Sequence, residues 1–368
     1  MIRTRTVSLV AASCLLAASC ANSDGADDAA VTESAAPTES EAPVETEAPV
    51  ETEAPVETEA PVETEAPVET EAPVETEPAP ELPGEAQPIT VQPRGTDALV
   101  STQSFDDSVA AVVAAIEGNE NLTLVATIDH SANASAAGLE LPPTTELIFG
   151  NPALGSPIMA LEPTAGIDLP QKMLIVEDLD GTVTVSWNRT DYLASRHGLG
   201  ISVDEQLATI NGALTGLGAV AAGTGDDVVP TESVTVVGER EGLVETTAPG
   251  TARDAADRLL AAIEDNENLK LVAEIDHAAN AASVDVELTP IIEVIFGNPA
   301  LGTPLMQASR SIGIDLPQKM LFIEDGDSVR IMYNEPDFVA KRHKIDRDVA
   351  LLTTVSEALE GLALASAG

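Results

Sequence analysis

The sequence predicts a mixed helix-and-strand protein in which one domain occurs twice in tandem, behind a disordered acidic stalk. Three observations carry this. An apolar run ending in a Phe-Gly-Asn-Pro turn, Ile148–Met159 (IFGNPALGSPIM), returns 147 residues later as Ile295–Met306 (IFGNPALGTPLM). Around both stretches, runs with strand alternation and runs with helical spacing follow in the same order. Ahead of them, residues 21–93 are low complexity, with EAPVET six times in tandem from Glu41 to Thr76.

The chain opens with MIRTRTVSLVAASCLLAASC, two arginines before an apolar run of about a dozen residues. That is too short to span a bilayer, which takes about 20 residues, and its flanks suit an export signal. Ala17, Ala18 and Ser19 before Cys20 resemble a bacterial lipobox, which implies lipidation of Cys20 and export to the cell envelope as a membrane-anchored lipoprotein. The alternative is a plain secretory signal. With Cys20 lipidated as the new N-terminus, Cys14 is lost with the signal and the rest of the chain offers no free thiol for disulfides or catalysis. In the stalk, Pro every sixth residue blocks helix and central strand, and its uniform negative charge extends it. Some 70 residues at about 3.1 Å each reach on the order of 200 Å.

The net charge of −45 is uneven: residues 24–85 hold 20 acidic and no basic side chains, and the chain beyond the signal and stalk is still about −27. Phosphate-backbone binding needs clustered Lys and Arg, so nucleic acid is excluded as an expected partner. Aromatics at 2% leave Val, Ile, Leu and Ala to build the cores.

The first copy is expected over residues 97–218. Ala98–Thr102 reads as a strand, and Ser104 with Asp107 caps a helix carrying Val109, Val112, Val113 and Ile116. Leu122–His130 alternates as a strand with His130 on its apolar face. A short helix or loop follows at Ser131–Ala137, then a strand at Glu146–Phe149 and a helix at Ala153–Leu161. Lys172–Glu177 and Thr182–Trp187 form a hairpin. Asp191–His197 and Val203–Leu217 are helical. Residues 219–241 are a linker, with a strand expected at Ser233–Val237. The second copy, residues 242–365, repeats this order with a hairpin one residue shorter.

The copies share IDH-x-ANA (Ile128–Ala134, Ile275–Ala281), IFGNPALG, GIDLPQKML (Gly166–Leu174, Gly313–Leu321) and a final Arg-His (Arg196-His197, Arg342-His343). This set, in this order, resembles the DUF 302 family, a bacterial domain of unknown function, over nearly all of both copies. Copy two departs at Asp285–Pro290 (DVELTP), where copy one keeps Gly138–Pro143 (GLELPP), and copy one has Trp187 where copy two has Tyr333. The resemblance implies an α+β fold, an antiparallel sheet with flanking helices similar to the TATA-box-binding-protein-like fold. It implies no activity, and the DNA-binding association of that fold is not carried over to so acidic a chain.

All four histidines fall at matched positions. His130 with His197, and His277 with His343, offer two imidazoles per copy for a transition metal or small ligand. The structural reading places His130 and His277 at a core edge and sets His197 and His343 at helix C-termini, where a cationic ring suits the dipole. Asn151 and Asn298 either shape the turn that starts the next helix or line a pocket at the strand ends. Lys172 and Lys319 are expected to pack their stems on the sheet with the amines exposed, the alternative being a carboxylate partner or an anionic ligand. Trp187/Tyr333, Tyr192/Phe338 and Phe149/Phe296 are expected core anchors. No HExxH, GxSxG, CxxC, P-loop or helix-opening GxGxxG occurs. The expected function is a non-enzymatic binding or interaction module of the envelope, with an envelope protein or small ligand as partner and no cofactor. Metal or small-ligand handling by the paired histidines is the alternative.

Overall fold

The computed structural model describes residues 92–225, 229–232, 237–346 and 350–368. The signal, Cys20, nearly all of the stalk, and four residues of the strand expected at Ser233–Val237 lie outside these.

The first copy starts with β1 (Thr96–Val100) and α1 (Phe105–Glu117), whose N-cap Ser104 accepts from Asp107 N as expected. β2 (Thr123–Asp129), α2 (His130–Ala136), β3 (Thr144–Gly150) and α3 (Pro152–Leu161) follow. A 3-10 turn over Pro163–Asp168 leads into the hairpin of β4 (Gln171–Glu177) and β5 (Val183–Asn188), then α4 (Thr190–Arg196) and α5 (Asp204–Ala222). A two-residue strand, β6 (Thr231–Glu232), pairs with β1 at the sheet edge. The second copy repeats the series: β7 (Leu243–Pro249), α6 (Ala252–Glu264), β8 (Lys270–Asp276), α7 (His277–Ala282), β9 (Ile291–Gly297) and α8 (Pro299–Ala308). A 3-10 turn at Arg310–Asp315, β10 (Gln318–Asp325), β11 (Ser328–Asn334), α9 (Pro336–Arg342) and α10 (Ala350–Ala367) complete it.

Both sheets are antiparallel and share one order: β2-β3-β4-β5-β1, with β6 beyond, and β8-β9-β10-β11-β7. The fold is therefore α+β, with two five-stranded antiparallel sheets and flanking helices. One sequence expectation fails locally. A bulge between Leu124 and Ala126, matched between Leu271 and Ala273, breaks the strand alternation. The strand stops at Asp129, whose carboxylate accepts from Ala132 N, so His130 opens a helix rather than ending a strand.

One face of each sheet carries its own helices. Leu147, Phe149, Met173, Ile175 and Val185 pack with Val112 and Ile116 of α1 and Leu214 of α5. In copy two, Val294, Phe296, Met320 and Phe322 pack with Leu259 of α6 and Leu359 of α10. Among the described residues α10 alone is long and apolar enough to cross a membrane. It packs one face on the second sheet through Val355, Leu359 and Ala363, with 28% of it buried.

The opposite face of each sheet is covered by the other copy. Ile128 and Ile148 meet Ile275 and Ile295. Leu174 packs against Ile314 and lies so near Gly313 that a Cβ there would sit 2.9 Å from its Cδ1. Leu321 stands in the same relation to Gly166, at 3.1 Å. The copies thus form one pseudo-twofold pair within a single chain. Two-sided burial explains why Leu147–Phe149, Met173–Val176 and Met320–Ile323 are unbroken apolar runs.

Candidate functional site

Two groups of charged side chains lie in the interface between the copies. Asp168, from the GID turn, accepts from Arg196 Nη1 (3.0 and 2.8 Å), and its Oδ2 lies 2.8 Å from His197 Nε2. Thr164 Oγ1 sits 2.9 Å from His197 Nδ1. Arg196 Nη2 then crosses to the second copy and donates to Asn334 Oδ1 at 2.7 Å. The mirror set is Asp315, Arg342, His343 and Ser311, with Arg342 Nη2 donating to Asn188 Oδ1 at 2.6 Å and Nε to Arg94 O at 2.9 Å. Arg342 also lies 4.1 Å from the Tyr192 ring centroid. Arg342 and His343 hold the Asp315 carboxyl far below the usual range despite its burial, and burial lowers the His343 pKa. His343 is therefore a neutral ring, not the cation expected at a helix end: its Nε2–H donates to Asp315 and its Nδ1 accepts from Ser311.

The lysines are the second group. Lys172 and Lys319 are each 4% exposed, not solvent-facing as expected. Lys172 Nζ lies 2.9 Å from Glu146 Oε1 and donates to Ile314 O of the second copy. Lys319 lies 3.7 Å from Glu293 Oε1 and donates to Ile167 O of the first. Strand register explains the burial: Glu146, Ile148, Lys172 and Leu174 project from the face that the other copy covers. Burial outweighs the lysines and pushes Glu146 up to about 7 and Glu293 up to about 8.

The remaining sequence candidates line two equivalent cavities. Phe149-Gly150 ends β3, Asn151 Oδ1 accepts from Ala153 N, and Pro152 starts α3 without an N–H to satisfy. The end of β3, α3 and α5 enclose a cavity of about 120 Å³, walled mostly by apolar side chains including Leu122, Leu154, Met159 and Leu214. Ile275, His277 and Asn280 of the second copy complete its wall. The second copy has the same cavity, about 230 Å³, between α8 and α10, completed by Ile128, His130 and Asn133 of the first. A smaller wall residue, Val355 where the first cavity has Ile210, goes with the larger volume.

Behind each cavity wall lie buried polar atoms with no hydrogen-bond partner in the protein and almost no accessible surface: His277 Nε2 and Ser156 Oγ at the first, His130 Nε2 and Thr303 Oγ1 at the second. His130 and His277 are 5% and 3% exposed, and Ser156 and Thr303 are fully buried. Burial first, then Lys172 or Lys319, lowers both rings to about 4, so each imidazole is neutral at pH 7. Glu293 Oε2 is 4.0 Å from His277 Nε2.

The structure therefore does not build the expected pairs His130/His197 and His277/His343. His130 and His277 line cavities, each belonging mainly to the other copy, while His197 and His343 have both ring nitrogens engaged elsewhere. Among the described residues, no three or more His, Cys, Asp or Glu side chains gather as a metal would need. Asn151 and Asn298 both cap a helix and line a cavity. Sequence reasoning missed Ser156, Thr303, Asn133 and Asn280. A signal existed: Ser156/Thr303 is one of the two substitutions in the repeated twelve-residue stretch, and the asparagines close the shared IDH-x-AN block.

One difference between the copies has a physical counterpart. Arg310 donates to Pro142 O, Pro143 O and Thr144 Oγ1, bracing the GLELPP loop of copy one. The matched position in copy one is Pro163, which has no such donor, and it goes with the altered DVELTP loop.

The class that fold and cavities define is a tandem α+β pair whose pockets are shared between its halves. The family model described as "Domain of unknown function DUF302" matches twice, at residues 98–217 and 244–363. The chain belongs to the DUF302 family. It is similar to the fluoride-specific ion channel FluC 1 of Brucella suis biovar 1 (strain 1330), with 42% identity over 108 residues, 29% of this chain and 41% of that protein. FluC 2 of Brucella melitensis biotype 1 matches at 42% over 108 residues, 29% of this chain and 39% of that protein. The chain thus spans about two fifths of the length of these curated relatives. The crystal structure of an uncharacterized conserved DUF302 protein from Bacillus stearothermophilus aligns with 34% of this chain and 98% of that one, at 14% identity and a TM-score of 0.32.

Proposed function

We propose that this protein is a non-enzymatic binding module of the cell envelope, tethered through a lipid on Cys20, that holds small, mostly apolar molecules in its two shared cavities. The observation that carries the reading is the cavity pair itself. Each cavity is concave and walled by Leu, Met, Phe and Val, with Asn151 or Asn298 among its few polar lining residues, the general form of a small-molecule site. A cavity of about 150 Å³ accepts benzene, so volumes of about 120 and 230 Å³ suit ligands of one ring or a short chain. The acidic stalk supports the tether, since it supplies reach and solubility. Fluoride, named for the curated relatives, suits these cavities poorly: their walls are apolar, their imidazoles are neutral, and the nearest buried ammonium groups, of Lys172 and Lys319, already face Glu146 and Glu293.

Calorimetric titration of the mature chain with toluene tests the binding reading. Two sites are expected. Gly155→Leu and Gly302→Leu should each remove one, because a Cβ at either glycine lies in ordinary contact, 3.7 Å from a leucine of its own cavity wall, with space beyond. Leucine also favours the helix, so folding is preserved. Absence of toluene binding, or binding untouched by both substitutions, would overturn the reading. Palmitate labelling that survives Cys20→Ser would overturn the tether.

A further inference from the structure

One sheet edge is closed and its counterpart is open. β1 lies between β5 and β6, with Asp97 and Ala98 opposite Glu232 and Thr231 of the run that joins the copies. β7, the matched strand of copy two, has β11 on one side and, among the described residues, no strand on the other. Glu335 N donates to Gly242 O and Gly250 N to Asp327 O, so every second residue from Gly242 bonds inward to β11. The N–H and C=O of Glu245 and Thr247 therefore point outward, and both residues are exposed. An edge of this kind is a template for one more strand.

The runs that enter the two copies are related by the same pseudo-symmetry. Arg196 of α4 donates through Nε to Glu241 O at 3.1 Å, just ahead of β7. Arg342 of α9 donates through Nε to Arg94 O at 2.9 Å, just ahead of β1. Each run thus approaches its own copy over the last arginine of the other. Nine positions before Glu241 stands Glu232 of β6, and nine before Arg94 stands Glu85. The residues there match: Val229–Glu232 reads VPTE and Leu82–Glu85 reads LPGE, at the same 147-residue offset as the two IFGNPALG blocks. Leu82–Glu85 lies past the last EAPVET, which ends at Thr76, and outside the described residues. Arg330 holds the Glu245 carboxylate at 2.9 and 3.0 Å, so the open edge does not repel an acidic run.

We propose that Leu82–Glu85 is the strand that occupies the outer edge of β7, with Gly84 opposite Glu245 and Glu85 opposite Val244, as Thr231 and Glu232 stand opposite Ala98 and Asp97. Each half then receives its sixth strand from the run that leads into the other half. The root of the acidic stalk docks on copy two, although in sequence it joins copy one.

The test is disulfide trapping in the full chain carrying Cys14→Ser and Cys20→Ser, so that only introduced thiols pair. Directly opposed residues on antiparallel strands have Cα atoms about 4.5–5.5 Å apart, within disulfide reach. Gly84→Cys/Glu245→Cys should close about tenfold faster than Gly84→Cys/Lys270→Cys, whose second position is exposed on β8 at the opposite sheet edge. Its rate should fall within about threefold of Ala98→Cys/Thr231→Cys, a pair held in register on β1 and β6. Hydrogen exchange on the chain without introduced cysteines gives an independent reading. The Glu245 amide should be protected by about tenfold or more, and Gly84→Pro, which removes the opposing N–H, should abolish that protection. Trapping no faster than that of the Lys270 pair, or an unprotected Glu245 amide, overturns the proposal. Cross-links that form only between chains overturn it as well and make a second copy the occupant of the edge.

Discussion

Arg342→Leu should be among the most damaging single substitutions in this chain, and its cost should depend on pH. The guanidinium is 2% exposed and carries both Asp315 oxygens (2.8 and 2.7 Å), Asn188 Oδ1 (2.6 Å) and Arg94 O (2.9 Å). Removing one partner of a buried ion pair typically costs about 3–5 kcal/mol, because the surviving charge is left in a dry site. His343 Nε2 still reaches Asp315, which keeps the expected loss at about 4 kcal/mol, a large part of a typical 5–15 kcal/mol total. With a urea slope of roughly 2–3 kcal/mol per molar, the midpoint should fall by about 1–2 M. In the intact protein the Asp315 pKa is depressed, so its contribution is fully present above the ordinary aspartate value near 4 and fades as pH falls below it. Without Arg342, burial dominates and the carboxyl binds its proton more readily than in the unfolded chain. The gap between the two proteins should therefore be widest near pH 7 and narrow on the way to about pH 3. Urea titrations at pH 7, 5 and 3.5, with exposed Lys341→Leu as control, measure it. A loss under 1 kcal/mol, or a gap constant with pH, would refute the argument that this network joins the halves by buried charge.

Other outcomes follow from the same geometry. A protease site engineered into residues 226–228 and then cut should leave two fragments that co-elute at the intact mass and part only in denaturant; separation in native buffer would contradict the two-sided burial of the sheets. Gly313→Val should destabilise by about 1–3 kcal/mol through overpacking against Leu174, read as a lowered melting temperature, whereas Gly326→Ala in the open β10–β11 turn should act locally through its positive φ alone. His130 and His277 titrate near 4 when folded and near 6.5 when unfolded, so their contribution is complete above pH 6.5 and is lost as pH falls toward 4. Replacing both with Gln should flatten the stability profile across that window, and an unchanged slope would show that the rings are hydrated.

The repeat, the cap at Ser104, the hairpins and the aromatic anchors were legible because each depends on neighbours in sequence. What escaped depends on the other copy. Lys172 reads as a snorkelling lysine only if its face of the sheet meets water, and the unbroken runs Met173–Val176 and Met320–Ile323 already argued otherwise. The bulge after Leu124 turned the alternation that seemed to place His130 on a strand, and a one-residue slip of that kind is invisible in an apolar pattern. The histidine pairing failed for a related reason. Arg196-His197 and GID are far apart in sequence yet meet in one network, while His130 finds its surroundings across the pseudo-axis. Matched positions within a repeat mark equivalent sites without saying which copy completes each of them.

Sharing each pocket between halves that are covalently joined has a quantitative consequence. Two separate chains would assemble only above their dissociation constant, whereas a linker of some twenty residues sets an effective concentration in the millimolar range. Pocket occupancy would then depend on ligand alone, unaffected by how many copies the cell makes or how sparsely they are spread over a surface. The joined halves are also free to drift apart in sequence without losing their partner. Ile210 against Val355 shows two pockets of one design already differing in bore, and Pro163 against Arg310 shows a loop brace present in one half and absent from its match.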